Sequence, residues 1–196
     1  NRFNSNQRKN IKKERKSINN QKIKIKKFTE NNINEDLMNS MHFFYEQHCL
    51  RWGVWGSKYL TDDFFKNSLK TKENLIIFSA FEETSTKPIA MSMCIKNKEN
   101  LWGRYWGALK EINYLHFELC YYQPIEWAIT NKIKYFDPGA GGQHKRRRGF
   151  YAKATNSFHK WFNYDMENII VQWLNKVNQE TLNAIENENN SIPFKK

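Results

Sequence analysis

The middle of the chain alternates apolar and polar residues, and the segments around it place apolar residues at helical spacing. Leu75–Phe81, Ile89–Ile95 and Leu101–Gly107 read as three strands, divided by a turn containing Pro88 and by Asn97–Asn100. In the second, Ile89, Met91, Met93 and Ile95 fall on one face and Ala90, Ser92 and Cys94 on the other, a period of two. Upstream, Asn34 caps a helix with Glu35 and Asp36 in its first turn and Ile33 and Met38 as a hydrophobic staple; it should end near Cys49. Thr61, Asp62, Asp63 and the pair Leu60 and Phe65 repeat the device for a helix ending near Leu69. Ile23 and Ile25 alternate with Lys24 and Lys26, as in an edge strand guarded by lysines.

The remaining segments are helical or short. Gln7–Asn19 lacks Gly and Pro and predicts a helix, yet only Ile11 and Ile18 are apolar, so it must dock on something. His116–Thr130 predicts a helix kinked near Pro124, whose missing N–H leaves the Cys120 carbonyl without its usual partner. A short strand, Ile133–Asp137, and a Gly-rich loop follow. From Asp165 to about Glu188, Met166, Ile169, Ile170, Trp173, Leu174, Val177, Thr181, Ala184 and Ile185 form a helical stripe, and the tail from Asn187 reads as frayed. Strands mixed with helices in this way predict an α/β (α+β) fold.

Length and charge narrow the picture. The 196 residues, 39% hydrophobic, are enough for one sizeable core and short for two average domains. The expected organisation is a basic helix and edge strand at 1–27, a domain at 28–188 and a polar tail at 189–196. No apolar run reaches membrane-spanning length and no charged-then-apolar leader opens the chain. Cys49, Cys94 and Cys120 are odd in number and widely spaced, against a disulfide framework or structural zinc, and fit a reducing, cytoplasmic setting. Cys120 reads either as a thiol nucleophile or as a small buried apolar group. The net charge of +12 is concentrated: residues 1–27 hold eleven Lys and Arg against Glu14 alone. Arg8, Lys12, Arg15 and Lys16 are candidates for binding a polyanion, either nucleic-acid phosphates or the anionic head groups of a membrane touched peripherally. The alternative is a solvated Lys-rich face in a chain rich in Lys, Asn and Ile throughout.

Candidate chemistry gathers between Leu101 and Phe150. Trp102, Tyr105, Trp106, Tyr121 and Tyr122 cluster in sequence around His116, Glu118, Gln143, His144 and Lys145, more aromatic and titratable groups than a core requires. With regular alternation Trp102, Arg104 and Trp106 share a face, while Leu101, Gly103, Tyr105 and Gly107 take the other, where Gly103 and Gly107 leave room against the backbone. Glu118, Tyr121 and Tyr122 form one helical surface and His116 and Gln123 a neighbouring one. Glu118 or His116 could serve as base and Tyr121 or Tyr122 as proton donor for acyl transfer to an amine. Equally, Glu118 could pair with a cation such as Arg104 and His116 could cap its helix. The loop Gly139–Lys145, with Gly141, Gln143, His144 and Lys145 followed by Arg148, offers backbone N–H groups and cations for a phosphate or carboxylate, or is simply a solvated turn. No metal site is expected.

Three blocks carry a family resemblance: Tyr105–Gly107, Leu115–Gln123 (Leu-His-Phe-Glu-Leu-Cys-Tyr-Tyr-Gln), and Gly139–Lys145 with Arg148–Phe150. They resemble the FemAB-like proteins of peptidoglycan biosynthesis or recognition, which share the acetyltransferase (GNAT-like, acyl-CoA N-acyltransferase) fold. Weaker likeness extends to Trp52, Gly53, Tyr59, Leu60, Phe64 and Phe65 and to Arg8–Lys16. The resemblance implies a mixed, mostly antiparallel sheet whose strands 101–107 and 133–137 splay to admit an acyl donor, and a related domain upstream. The chain begins with Asn rather than Met, as a piece of a longer protein would. The donor implied is acetyl-CoA or aminoacyl-tRNA. Arg104-Tyr-Trp-Gly107-Ala-Leu109 fits the acetyl-CoA motif except at Leu109, where a small residue belongs, so the aminoacyl-tRNA donor of FemAB-type enzymes and an amine acceptor on a cell-wall precursor are favoured. A non-catalytic module binding peptidoglycan or RNA is the second reading. The common pocket expected from these blocks holds Glu118, Tyr121 or Tyr122, His144 and Lys145.

Overall fold

Five strands form one sheet in the order β1–β2–β3–β4–β5 in the computed structural model, which describes residues 2–195. Strands β1 (Ile23–Thr29), β2 (Leu75–Glu82), β3 (Pro88–Lys96) and β4 (Asn100–Ala108) pair antiparallel, and β5 (Tyr135–Asp137) joins β4 in parallel. Helices cover both faces, which is why Leu75–Phe81 of β2 and Ile89–Cys94 of β3 are buried almost without a break. On one face, Leu75, Ile77, Met91 and Met93 pack with Met38, Met41 and Phe44 of α2 (Glu35–Arg51) and Phe65 of α3 (Asp62–Ser68). On the other, Ile76, Phe78, Ala90 and Cys94 pack with Ile18 of α1 (Ser5–Asn20) and with Leu115, Leu119 and Ala128 of the helical segment after β4. The period of two read in β3 is this division from Ala90 to Ile95; Ile89 falls instead with Ala90 and Cys94, where the register of β2 against β3 shifts between Ala80 and Phe81.

Asn34 caps α2 as its position implies, accepting the Leu37 N–H at 3.0 Å. Thr61 does not: its side chain makes no capping bond, and α3 starts from the Leu60 and Phe65 packing instead. The N-terminal helix finds its dock within this fold, with Ile18 only 2% exposed in the core.

Regular alternation fails in β4. Gly103 stands opposite Cys94 and Tyr105 opposite Met93, so Arg104 is an extra residue, a β-bulge. Beyond the bulge the faces exchange. Tyr105 leaves the Gly103 face and packs its ring against Tyr45, Phe64 and Phe65, while Trp106 turns to the other side, against His116. The room expected beside the two glycines is filled by the protein itself: a Cβ on Gly107 would lie 1.9 Å from the Phe44 carbonyl oxygen, and one on Gly103 3.5 Å from Pro138 Cα. Gly107 is therefore the point where α2 presses its backbone onto β4.

The sheet and its covering helices lie in a unit spanning Asn10–Ala140; residues up to Lys9 and from Gly141 onward form a second unit. In the second unit, α5 (Tyr164–Asn190) is capped by Asn163, which accepts the Met166 N–H at 3.0 Å. Its apolar stripe is not buried: Trp173 is 57% and Ile169 55% exposed. The segment after α5 is pinned rather than frayed. Phe194 bridges to Phe3 with their rings 5.3 Å apart, Asn4 N–H donates to Pro193, and Lys195 N–H to Arg2. Gly149, at φ +83°, lets the chain pass these rings, because a Cβ there would meet Phe3 at 2.9 Å.

Candidate functional site

The helix after β4, α4, has a defect in the middle. It runs as α-helix at Leu115–Phe117, as a π turn at Glu118–Tyr122 and as α-helix again at Gln123–Thr130. Pro124 explains the change of register. In the π turn the Gln123 N–H bonds to the Glu118 carbonyl, five residues back, and the next bond of that kind, from residue 124 to Leu119, has no donor. The buried Ser92 hydroxyl of β3 supplies it, donating to the Leu119 carbonyl at 2.8 Å. The sequence pointed to a kink but to the wrong carbonyl, Cys120. Ser92→Ala is expected to lower stability by about 1–3 kcal/mol in urea unfolding, the cost of leaving a buried carbonyl without its donor. A change under ~0.5 kcal/mol would remove Ser92 from this account.

The π turn aims Glu118 at α1. Glu118, 4% exposed, accepts from Arg15 Nε at 3.2 Å and Nη2 at 3.0 Å and from Gln123 Nε2 at 2.7 Å. The same guanidinium bonds both oxygens of Glu126, with Nη2 to Oε2 at 3.0 Å. Arg15 also lies over the Tyr122 ring at 5.8 Å, and the Tyr122 hydroxyl donates to Glu14. Hydrogen bonding to Glu126, then to Glu118, holds the Arg15 charge more firmly than usual despite partial burial. Of the cations proposed for a polyanion, Arg15 is thus committed to two carboxylates, and Arg8 donates to the Phe3 carbonyl. Lys12 and Lys16 remain at the surface.

On the same side of the sheet, His116 packs between Trp106, 5.1 Å away, and Tyr121, 5.3 Å away, with Phe117 beside His116 and Tyr121. This cluster flanks the place where β4 and β5 part. The two strands pair only at Asn100–Tyr135, Leu101–Phe136 and Trp102–Asp137, and Pro138 then carries the chain away. Among the described residues, β4 beyond Gly103 has no strand on that edge. The far end of β4 is held by Arg51, whose Nη2 donates to the Ala108 carbonyl at 2.6 Å. Leu109, the position that departs from the acetyl-CoA motif, is 51% exposed.

Gly139 N–H donates to the Asp137 carboxylate at 2.8 Å. Gly139, Gly141 and Gly142 all have positive φ, so the Gly-rich loop uses its glycines for backbone shape. Gln143–Arg148 is a 3-10 helix: His144 packs against Gly142, Lys145 N–H donates to Gly142, and buried Arg148 donates to the His144 carbonyl at 2.8 Å. Burial, then the charges of Arg148 and Lys145, push the His144 pKa below its usual value. Glu118 and Tyr121 belong to the sheet unit, while His144 and Lys145 belong to the second unit. Cys94 is fully buried and its thiol is pushed up to about 12, which leaves it inert; Cys49 is also buried and Cys120 partly so. Among the described residues no group of three His, Cys, Asp or Glu side chains could hold a metal, and no helix is long and apolar enough to cross a membrane.

Over residues 1–196 the sequence matches the FemAB-like family, described as peptidoglycan biosynthesis/recognition. The chain belongs to the FemAB-like family. The five-stranded mixed sheet, flanked by helices and parting between β4 and β5, is the arrangement that the family resemblance implies. Distant structural likenesses include a possible acetyltransferase from Clostridium difficile 630, at 11% identity and a TM-score of 0.48, covering 72% of this chain and 99% of that one. An aminoglycoside acetyltransferase from an uncultured soil metagenomic sample, in complex with sisomicin, gives 11% identity and a TM-score of 0.48 over 74% of this chain and 98% of its own. The aminoglycoside N-acetyltransferase AAC(6')-Iy, in complex with CoA, gives 10% and 0.45 over 72% and 95%. No curated protein sequence matches the chain.

Several residues that build the site carried little signal. Ser92 looked like an ordinary small residue on a strand face, and Gln123 was grouped with His116 rather than with Glu118. Arg15 was weighed only as one of a run of surface cations.

Proposed function

We propose that the chain is an N-acyltransferase of the FemAB-like type, joining an acyl or aminoacyl group to an amine. The observation that supports this most is the parting of β4 from β5 beside Trp106, His116 and Tyr121. The strand edge there, which no neighbouring strand among the described residues pairs, offers backbone hydrogen bonds to an extended donor, and the aromatic wall excludes water from the reacting carbonyl. In this reading His116 takes the proton from the attacking amine and Tyr121 supplies one to the leaving group. Glu118 is the weaker candidate for base, because Arg15 and Gln123 already occupy both its oxygens. Leu109 favours an aminoacyl-tRNA donor over acetyl-CoA, and the acceptor is an amine such as one on a cell-wall precursor. A non-catalytic binding module is the second reading, favoured by the closed pairing of Glu118.

Calorimetry with acetyl-CoA and a transfer assay with aminoacyl-tRNA test the donor. No micromolar binding of acetyl-CoA is expected, and micromolar binding overturns the preference for tRNA. Transfer should fall 10²- to 10⁴-fold in His116→Asn, the usual contribution of a positioned base. No transfer from either donor by the full-length protein returns the chain to the binding-module reading.

A further inference from the structure

Between α1 and the free edge of β1 lies a groove of about 750 Å³ whose lysine side the acyl-transfer reading does not use. Lys12 and Lys16, one helical turn apart on α1, and Lys24 on β1 line it. None of the three has an ion-pair partner among the described residues, whereas the neighbouring Arg15 has two. Apolar lining comes from Ile11, Ile23 and Ile25.

We propose that this groove binds a phosphate monoester carrying an aliphatic chain, with the phosphate on the three lysines and the chain along the isoleucines. Charge complementarity sets the anion, because three unneutralised ammonium groups around one concavity create a positive potential. The aliphatic part follows from what the lining lacks. It contains no aromatic side chain, so nothing there stacks on a nucleobase, and a strand of RNA gains only phosphate contacts. A bilayer fits no better: the exposed large apolar side chains nearest in sequence begin at Phe43, and none comes from α1 or β1. A single amphiphile seated in a concavity satisfies both conditions. Arg15 forms the inner end of the groove with Glu118 and Gln123, so its guanidinium is already neutralised and the anion is held at the lysine rim.

Titration of the whole chain with decyl phosphate, kept below its micelle concentration, tests this. Saturable one-to-one binding is expected, weakened roughly tenfold or more in Lys12→Gln/Lys16→Gln/Lys24→Gln, since each exposed charge contact contributes modestly. Inorganic phosphate alone and decyl maltoside should each bind far more weakly than decyl phosphate. Ile11→Ser, at a half-buried position, should weaken decyl phosphate and leave inorganic phosphate unchanged. Unchanged thermal melts keep these effects separate from folding. Equal binding by the triple variant, or no binding by the native chain, overturns the proposal. So does displacement of decyl phosphate by a single-stranded oligonucleotide, or tight binding to phosphatidylglycerol vesicles with none to decyl phosphate.

Discussion

Gly107→Ala is expected to keep the chain from reaching its native state under ordinary conditions. The added methyl would sit 1.9 Å from the Phe44 carbonyl oxygen and 2.5 Å from its carbon, inside any permitted contact. Those atoms belong to the α2 backbone, so no rotamer change relieves the clash. Moving α2 would also disturb Phe44 and Met41 in the core and the Arg51 bond to Ala108. Overpacking against adaptable side chains costs about 1–3 kcal/mol, and against fixed backbone more; a loss above ~4 kcal/mol would exhaust much of a domain's stability. Gly103→Ala is the control, because its methyl would meet Pro138 at an ordinary 3.5 Å and should cost ~1 kcal/mol or less. Thermal or urea unfolding of the two variants checks this. A Gly107→Ala protein melting within a few degrees of the native one would mean that α2 is not seated on β4 as described.

Most of the fold was legible because it rests on local signals. The period of two in β3, the Asn34 cap and the lysine-guarded β1 each follow from residues close in sequence, and each strand lies within two residues of its expected bounds. What was missed depends on partners distant in sequence. The bulge at Arg104 leaves no local mark, since Leu101–Ala108 alternates well enough on paper, yet it sends Tyr105 and Trp106 to opposite faces. The room beside Gly103 and Gly107 looked available to a ligand because a sequence does not show which backbone approaches it. The stripe of α5 follows an amphipathic pattern correctly, but a pattern reports a face and not what covers it.

The same limit applies to the site. The resemblance and the density of aromatic and titratable groups singled out β4 and α4, and His116 and Tyr121 of α4 do come together with Trp106 of β4. That Glu118 pairs with a cation was legible, but not which one: the partner is Arg15 rather than Arg104, 103 residues away and inside a run of cations that looked interchangeable. Geometry separates them, since Arg15 is held by two carboxylates while Lys12 and Lys16 stay at the surface beside it.

That pairing leads to the second large effect. Arg15→Met should destabilise the chain by about 3 kcal/mol, because it leaves the Glu118 carboxylate, with only 5% of its side chain exposed, bonded to Gln123 alone. Arg15 is itself 32% exposed, which places the cost at the lower end of the range for broken buried pairs. Glu118→Gln should cost less, about 1 kcal/mol, since Arg15 keeps Glu126 and the amide keeps the carboxylate's shape. In the double variant no buried charge is stranded, so stability should return by ~1–2 kcal/mol above the sum of the two single effects. Additive single effects would show that Arg15 and Glu118 do not act as a unit. The same Glu118→Gln protein separates the two roles open to this residue. Turnover lost with little loss of stability would mark a base, whereas stability lost with turnover intact would mark a clamp that holds α1 to the π turn and leaves proton transfer to His116.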